Sequence, residues 1–246
     1  MTSIRVLVNG YRGKMGQEAV NAINASTGLS LVGTTDIDDD LVKLINETKA
    51  QVVLDFTRAD VVYNNSKLII GAGAHPVIGT SGLTVAQVKE LQALCAAKQL
   101  GGMVVPNFSI GAVLMMKYAR DAARYFPDVE IIELHHNQKQ DSPSGTAMKT
   151  AAMIAENRVV RADAPAVATK ETLVGARGAN CQGIPIHSVR LSGLVAHQEV
   201  IFGGQGETLT LRHDSLHRQS FMPGVCLACS KVVELHELVE GLEFIL

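Results

Sequence analysis

Tryptophan is absent from this chain of 246 residues, and aromatic side chains make up only 4% of it. A surface that stacks nucleic-acid bases is therefore not expected. Charge is sparse and almost balanced, with 19% charged residues and a formal net charge of −2, so there is no global pull toward nucleic acid or an anionic membrane. No run approaches the length of a membrane span, and the chain enters an apolar strand within three residues of its start. Neither a transmembrane segment nor a signal peptide is expected, and the predicted location is cytoplasmic. Of the four cysteines, Cys95 and Cys181 stand apart, while Cys226 and Cys229 form a CxxC inside an apolar helical run. No second ligand pair accompanies them, so they read as small hydrophobes on a buried helix face, and no metal site is predicted.

What is present is a chain 47% hydrophobic, long enough for one large or two modest domains. Ile4-Arg-Val-Leu-Val-Asn is a short apolar strand running into Gly10-Tyr11-Arg12-Gly13-Lys14-Met15-Gly16, after which Ala19, Val20, Ala22 and Ile23 keep helical spacing. Glycines at a strand-to-helix turn are what a dinucleotide pyrophosphate needs for close backbone approach, although the spacing is GxxGxxG rather than GxGxxG. Leu29 to Thr35 reads as a second strand leading to Asp36, about 20 residues beyond Gly16, where an acid can hold the adenosine ribose. Gln51 to Phe56 is a third strand, almost wholly apolar as a central parallel strand should be. Helix and strand then alternate: 60–72, 75–80, 84–98 and 102–106. The expected fold class is α/β, a Rossmann-like doubly wound parallel sheet. Three segments leave the carboxyl ends of its strands, Asp55-Phe56-Thr57, Gly79-Thr80-Ser81-Gly82 and Pro106-Asn107-Phe108-Ser109. Each suits the nicotinamide end of a cofactor, and each is also ordinary turn chemistry.

The pattern changes after residue 106. We expect a dinucleotide-binding domain over 1–106, an α+β substrate-binding and oligomerisation domain over 107–217, and a C-terminal helical segment, 218–246, returning to the first domain. The second part contains an amphipathic helix over 110–125, a long polar stretch over 157–183, and strands at 184–191, 199–202 and 207–212 with a glycine-rich hairpin turn at 203–206. Their alternation leaves one sheet face for a partner subunit to cover.

Chemistry concentrates in Glu133-Leu134-His135-His136-Asn137-Gln138-Lys139-Gln140-Asp141-Ser142-Pro143-Ser144-Gly145-Thr146. A β-branched run precedes this block and an Ala/Met-rich helical run follows it, so it reads as a strand-to-helix loop with Ser144 or Thr146 as N-cap. Two imidazoles and an ammonium beside a helix start suit a small anion that receives a proton. A GxSxG elbow and a complete P-loop are both missing, and the adjacent His135 and His136 point to opposite faces of a strand. What survives is reduction of a polarised C=C or C=N bond beside a nicotinamide cofactor. A related dehydrogenase acting on an amino or imino acid, or a nucleotide sensor that has lost its reaction, stays open at this point.

The block closely resembles the E(A/L)HHxxKxDAPSGTA signature of the dihydrodipicolinate reductase family. Gly10-Tyr-Arg-Gly-Lys-Met-Gly is similar to that family's GxxGRMG, Asp55-Phe-Thr to its DFT, Gly79-Thr-Ser-Gly to its GTTG, and Asn107-Phe-Ser-Ile-Gly to its NFSxG. The resemblance spans nearly the whole chain. It implies a homotetramer that reduces a cyclic dicarboxylate with NAD(P)H in lysine and diaminopimelate biosynthesis. It further implies His135 as proton donor or acceptor, Lys139 as catalytic proton donor, and His136, Lys139, Ser144, Gly145 and Thr146 around the substrate. Gly10, Tyr11, Arg12, Gly13, Lys14, Met15, Asp36, Gly79, Thr80, Ser81, Val105, Pro106, Asn107 and Phe108 would hold the cofactor. Lys14 stands where the family has Arg, Ser81 for Thr and Ser142 for Ala. Ile37 follows Asp36 where a basic residue would welcome a 2′-phosphate, and Asp38, Asp39 and Asp40 would repel one, so NADH is expected to be preferred to NADPH.

Overall fold

The computed structural model describes residues 3–158 and 170–246; part of the long polar stretch expected at 157–183 therefore lies outside the described residues. The chain divides into two compact units, one formed by Met1–Ile110 with Arg218–Leu246 and the other by Gly111–His217.

The first unit is built on a six-stranded, all-parallel sheet. Its strands are β1 (Ile4–Asn9), β2 (Leu29–Thr35), β3 (Val52–Asp55), β4 (His75–Ile78), β5 (Gly102–Val104) and β11 (Leu238–Glu240), in spatial order β11-β5-β4-β3-β1-β2. The order reverses between β1 and β3, and a crevice at such a reversal is where this architecture takes ligands. β3 is buried along its whole length, as a strand flanked on both sides must be. Helices α1 (Lys14–Ala25), α2 (Leu41–Thr48), α3 (Val62–Gly71) and α4 (Val85–Lys98) connect these strands. α4 starts with a reciprocal capping box between Thr84 and Gln87, and α2 starts with the Asp40 side chain accepting from the Lys43 N–H. Each cap satisfies an N–H group that the helix ladder leaves over.

Two parts of this unit differ from the sequence reading. α2 is not expected from the sequence, where Asp40 looks like one more member of a solvated acidic run; in the structure it is the cap of a helix that buries Leu41 and Ile45. The final segment is not wholly helical. α7 (Met222–Lys231) gives way to single 3-10 turns and to β11, which pairs in parallel with β5. A three-residue strand has no periodicity to read, and only its pairing partner identifies it.

The second unit contains α5 (Ile110–Ala122, its first residue counted with the other unit), β6 (Asp128–His135), α6 (Gly145–Asn157), β7 (Ala179–Cys181), β8 (Ile184–Arg190), β9 (Ala196–Gly204) and β10 (Glu207–Ser215). Its sheet runs β10-β9-β6-β8-β7, with β6 and β8 parallel and the other pairs antiparallel. β9 and β10 form a hairpin closed at Gln205-Gly206, where Gly206 supplies a φ of +80°. On one face lie Val129, Ile131, Ile186, Val200 and Phe202, all buried, together with Glu133 and Gln198. The alternate positions Ile132, Leu134, Val189 and Ile201 are half-buried on the other face.

β6 is longer than the β-branched run suggested. The ladder continues through Glu133, Leu134 and His135, which pair with Ser188, Val189 and Arg190 of β8. These residues belong to the strand and not to the loop, because their backbone pairs with β8 on one side and β9 on the other, and the Glu133 carboxylate finds its partner in Arg190 of β8.

Candidate active site

In the first unit, Gly10 follows β1 with a φ of +85°. A Cβ there would come 2.6 Å from the Phe56 carbonyl oxygen, and one at Gly16 would come 2.2 Å from the Gly10 carbonyl oxygen. Only glycine allows both approaches. Helix α1 begins with no side-chain cap, so its first N–H groups are left for an external acceptor such as a pyrophosphate. Beside this turn is a cavity of about 540 Å³ lined by Asn9, Gly10, Arg12, Gly13, Asp36, Ile37, Phe56 and Thr57 among others. A second, of about 340 Å³, is lined by Met15, Phe56, Thr57, Gly79, Thr80 and Ser81. The residues present thus fit a dinucleotide.

Asp36 sits at the mouth of β2. It accepts from the Ile37 N–H at 2.9 Å and the Arg12 N–H at 3.1 Å. Those two backbone bonds hold its carboxyl below the usual range, which keeps it an acceptor for hydroxyl groups. The Arg12 guanidinium pairs with Asp38 at 3.2 Å and lies 5.7 Å from the Tyr11 ring centre. Lys14 is exposed at the start of α1. Of the segment after β5, Val105 and Phe108 are buried, Asn107 is half-buried and Pro106 exposed. Phe108 meets Phe56 edge to face at 5.6 Å, and its contribution is to pack the loop.

Beneath these loops lies a polar centre whose role the sequence did not disclose. Asp55, 0% exposed, accepts from Asn9 Nδ2 at 2.9 Å, Asn65 Nδ2 at 3.2 Å, Thr80 Oγ1 at 2.9 Å, and both the N–H and Oγ1 of Thr57 at 3.0 and 2.6 Å. Asn9 Oδ1 accepts in turn from Thr35 Oγ1 at 2.9 Å. One carboxylate ties together the ends of β1, β2, β3 and β4.

In the second unit, Glu133 and His135 lie two apart on β6 and so share a face. Glu133 is 0% exposed. Arg190 of β8 grips it with both terminal nitrogens at 2.8 Å, the Ser144 N–H donates to it at 3.2 Å, and His135 Nδ1 lies 2.5 Å from its Oε2. Burial opposes charge on Glu133, but hydrogen bonds from Arg190, Ser188 and His135 outweigh it and hold the carboxyl below its usual 4.5. Burial pushes the His135 imidazole below its ordinary 6.5; Glu133 pulls the other way, and Lys139 and Arg190 add to the lowering.

β6 ends at His135, and an exposed His136 opens a turn closed by the Lys139 N–H on the His136 carbonyl at 3.2 Å. That turn brings Lys139 back to the site, where its ammonium contacts both oxygens of Asp141 at 2.6 and 2.8 Å. The Asp141 carbonyl accepts from Arg190 at 2.8 Å, so one guanidinium braces both the histidine's carboxylate and the lysine's loop. Ser144 caps α6, its hydroxyl accepting from the Ala147 N–H at 3.2 Å, and at 3% exposure it is enclosed. Gly145 and Thr146 form the first turn of α6, and the space over Gly145 is open. His135, His136, Lys139, Ser144, Gly145 and Thr146 thus belong to one strand end, one loop and one helix start. Arg190 is the member that sequence reading missed, and Glu133, which opens the polar block, has no role in that reading: Arg190 is 51 positions from Lys139, and only the pairing of β6 with β8 joins it to the block.

Comparison with known proteins matches this chain to family models over nearly its full length. The model described as dihydrodipicolinate reductase, N-terminus, matches residues 4–108, and the model of the same enzyme's C-terminus matches residues 111–246. A 4-hydroxy-tetrahydrodipicolinate reductase of Coxiella burnetii (strain Dugway 5J108-111) is 55% identical over 244 residues, covering 99% of this chain and 100% of the relative. One from Legionella pneumophila (strain Paris) is 52% identical over 242 residues, covering 98% and 99%. The solved structure of dipicolinate-bound dihydrodipicolinate reductase from Paenisporosarcina sp. TG-14 superposes with a TM-score of 0.92 at 48% identity, covering 100% of both chains.

Proposed function

From the premise that this chain belongs to the dihydrodipicolinate reductase family, we propose how its two sites carry out the family's reaction. The protein is a pyridine-nucleotide-dependent oxidoreductase of lysine and diaminopimelate biosynthesis. It reduces 4-hydroxy-tetrahydrodipicolinate to tetrahydrodipicolinate: one hydride and one proton are added, and one water leaves. The observation that carries the reading is the meeting of Lys139, His135, His136 and the start of α6 at the end of β6, in a chain that matches its relatives from end to end.

When bound, the reduced nicotinamide supplies the hydride. The chain's own residues do the rest. Gly10, Gly13 and the start of α1 accommodate the pyrophosphate, and Asp36 accepts from ribose hydroxyls. Lys139, His136 and the first N–H groups of α6 hold the ring carboxylates, an arrangement supported by the open space over Gly145. The Lys139 ammonium lies where negative charge develops as the ring is reduced, and it delivers the proton. His135 presents a second proton-exchanging atom beside it. A substrate carboxylate has to share Lys139 with Asp141, its ion-pair partner.

NADH is the preferred cofactor on this reading. Ile37, next to Asp36, is 75% exposed and uncharged. The two nearby guanidiniums are already engaged, Arg12 by Asp38 and Arg58 by Asp60. Asp36 and Asp39 in the same cavity would oppose a 2′-phosphate. A homotetramer goes with the family resemblance and with the half-buried Ile132, Leu134, Val189 and Ile201 on a sheet face they share with Glu130 and Glu199; sedimentation equilibrium would then return the mass of four chains, and a monomer would sink the idea. A cytoplasmic location goes with the reaction class, and no helix among the described residues is long and apolar enough to cross a membrane.

The decisive assay mixes the purified chain with the condensation product of aspartate semialdehyde and pyruvate. NADH should be consumed, with higher kcat/KM than NADPH. An inert mixture would reject the reductase reading, and equal or better use of NADPH would reject the cofactor preference alone.

A further inference from the structure

His135 is held in a way that constrains which of its ring nitrogens can exchange a proton. Its Nδ1 lies 2.5 Å from Glu133 Oε2. A carboxylate only accepts, so the hydrogen in this bond belongs to the imidazole. Glu133 has little freedom to do otherwise. Oε2 also takes Arg190 Nη1 at 2.8 Å, and Oε1 takes Arg190 Nη2 at 2.8 Å and the Ser144 N–H at 3.2 Å. The strand register makes the grip deliberate: Arg190 is the Cα partner of His135, not of Glu133, and its side chain reaches back two residues to form the fork. The guanidinium is further fixed by the carbonyls of Val189 and Asp141, each at 2.8 Å.

Stability alone does not account for this pair. Buried ion pairs are commonly replaceable by apolar residues at no loss, and here Arg190 Nε is buried with no partner among the described residues. What the pair does supply is a carboxylate of fixed position and orientation beside one ring nitrogen.

We propose that Glu133, clamped by Arg190, is a positioning residue that fixes His135 as its Nδ1–H tautomer, so that Nε2 is the ring atom through which protons pass. The groups that bear on this imidazole are Glu133 from its own strand, Arg190 from β8 and Lys139 from the loop, with Asp141 paired to Lys139; the paired position on β9 is Ala196, which does not titrate. Burial opposes a charge on the imidazole, and a neutral ring that donates from Nδ1 to Glu133 carries its lone pair on Nε2. The Nδ1–H form is the minor one for a free histidine side chain, so its dominance here is the mark of an imposed tautomer. The meaning of this for turnover rests on the reductase reading above; the tautomer itself does not.

The test is long-range ¹⁵N–¹H correlation spectroscopy of the full chain labelled with ¹⁵N-histidine, with the His135 signals assigned by their loss in His135→Asn. In the wild type at pH 7.5 (a working condition on the order of one unit above the usual histidine range), His135 should be protonated on Nδ1 and bare on Nε2. In Glu133→Gln, Arg190 keeps the amide oxygen, which turns the NH₂ toward Nδ1 and favours the Nε2–H form. The spectrum should invert, and kcat should fall by about tenfold or more while the KM for NADH holds. Arg190→Lys keeps the charge without the fork and should give a mixture of tautomers, which decides the matter if Glu133→Gln does not fold. An Nε2–H tautomer in the wild type overturns the proposal, as does an unchanged tautomer in a folded Glu133→Gln or in Arg190→Lys. Because the spectrum needs no substrate, it reads the proposal even if the chain proves inert as a reductase.

Discussion

Lys139→Ala should lower kcat by roughly 10²–10⁴, the usual worth of a positioned proton donor, and leave NADH affinity unchanged. The expectation follows from where the ammonium sits. The side chain is 21% exposed, so it is partly enclosed yet open on one side, and among the described residues it pairs with Asp141 at the rim, itself 62% exposed. An ion pair so exposed contributes little to stability, so its loss should not unfold the second unit. The residues proposed to bind the nucleotide belong to the other unit, which is why binding should survive. Steady-state rates beside an NADH fluorescence titration separate the two effects. A variant within a few-fold of wild-type kcat would remove Lys139 from the chemistry, and a parallel loss of NADH affinity would mean that the substitution acts through the fold.

Asp55→Ala should have the largest effect on the first unit. Its carboxylate accepts five hydrogen bonds at a site with no exposure. A stranded buried donor costs about 1–3 kcal/mol. Because the donors share one partner the costs do not simply add, and a loss of about 3–5 kcal/mol is expected. Against a total stability of about 5–15 kcal/mol for an ordinary domain, that leaves the unit marginal. NADH affinity should fall with it, since Thr57 and Thr80, which lose their anchor, line the cavities beside the glycine turn. Asp55→Asn keeps one acceptor and should be milder on both counts. Guanidinium unfolding curves read the stability, and a shift of under about 1 kcal/mol for the alanine variant, an ordinary surface-scale effect, would show that the network is dispensable.

Strong periodicity and turn chemistry made most elements readable in advance. β1, β2 and β3 are apolar runs between glycine and acidic turns, and α4 and α6 begin at Thr84 and Ser144, both ordinary caps. The parts that escaped are those whose identity is set by a distant neighbour. β11 exists because β5 offers it an edge, and α2 hides behind an acidic residue doing a local job. The site divides in the same way. His135, Lys139, Gly145 and Thr146 are close in sequence and could be grouped from composition alone. Arg190 could not, because an arginine near the end of an alternating strand looks like any solvated cation until β8 is laid beside β6. Asp55 was visible as part of a motif, yet its work is to gather four strand ends and not to touch a ligand from an exposed loop. Ser144, expected near substrate, spends its hydroxyl on the helix start.

The proposed function depends on cationic side chains of the second unit gripping a flat dianion. The direct measurement is a crystal structure of the chain with NADH and pyridine-2,6-dicarboxylate. The proposed function predicts one carboxylate against the first turn of α6 and the Lys139 ammonium turned from Asp141 toward the ring. A dicarboxylate bound elsewhere, or an ammonium still paired only with Asp141 while both ligands are in place, would contradict it.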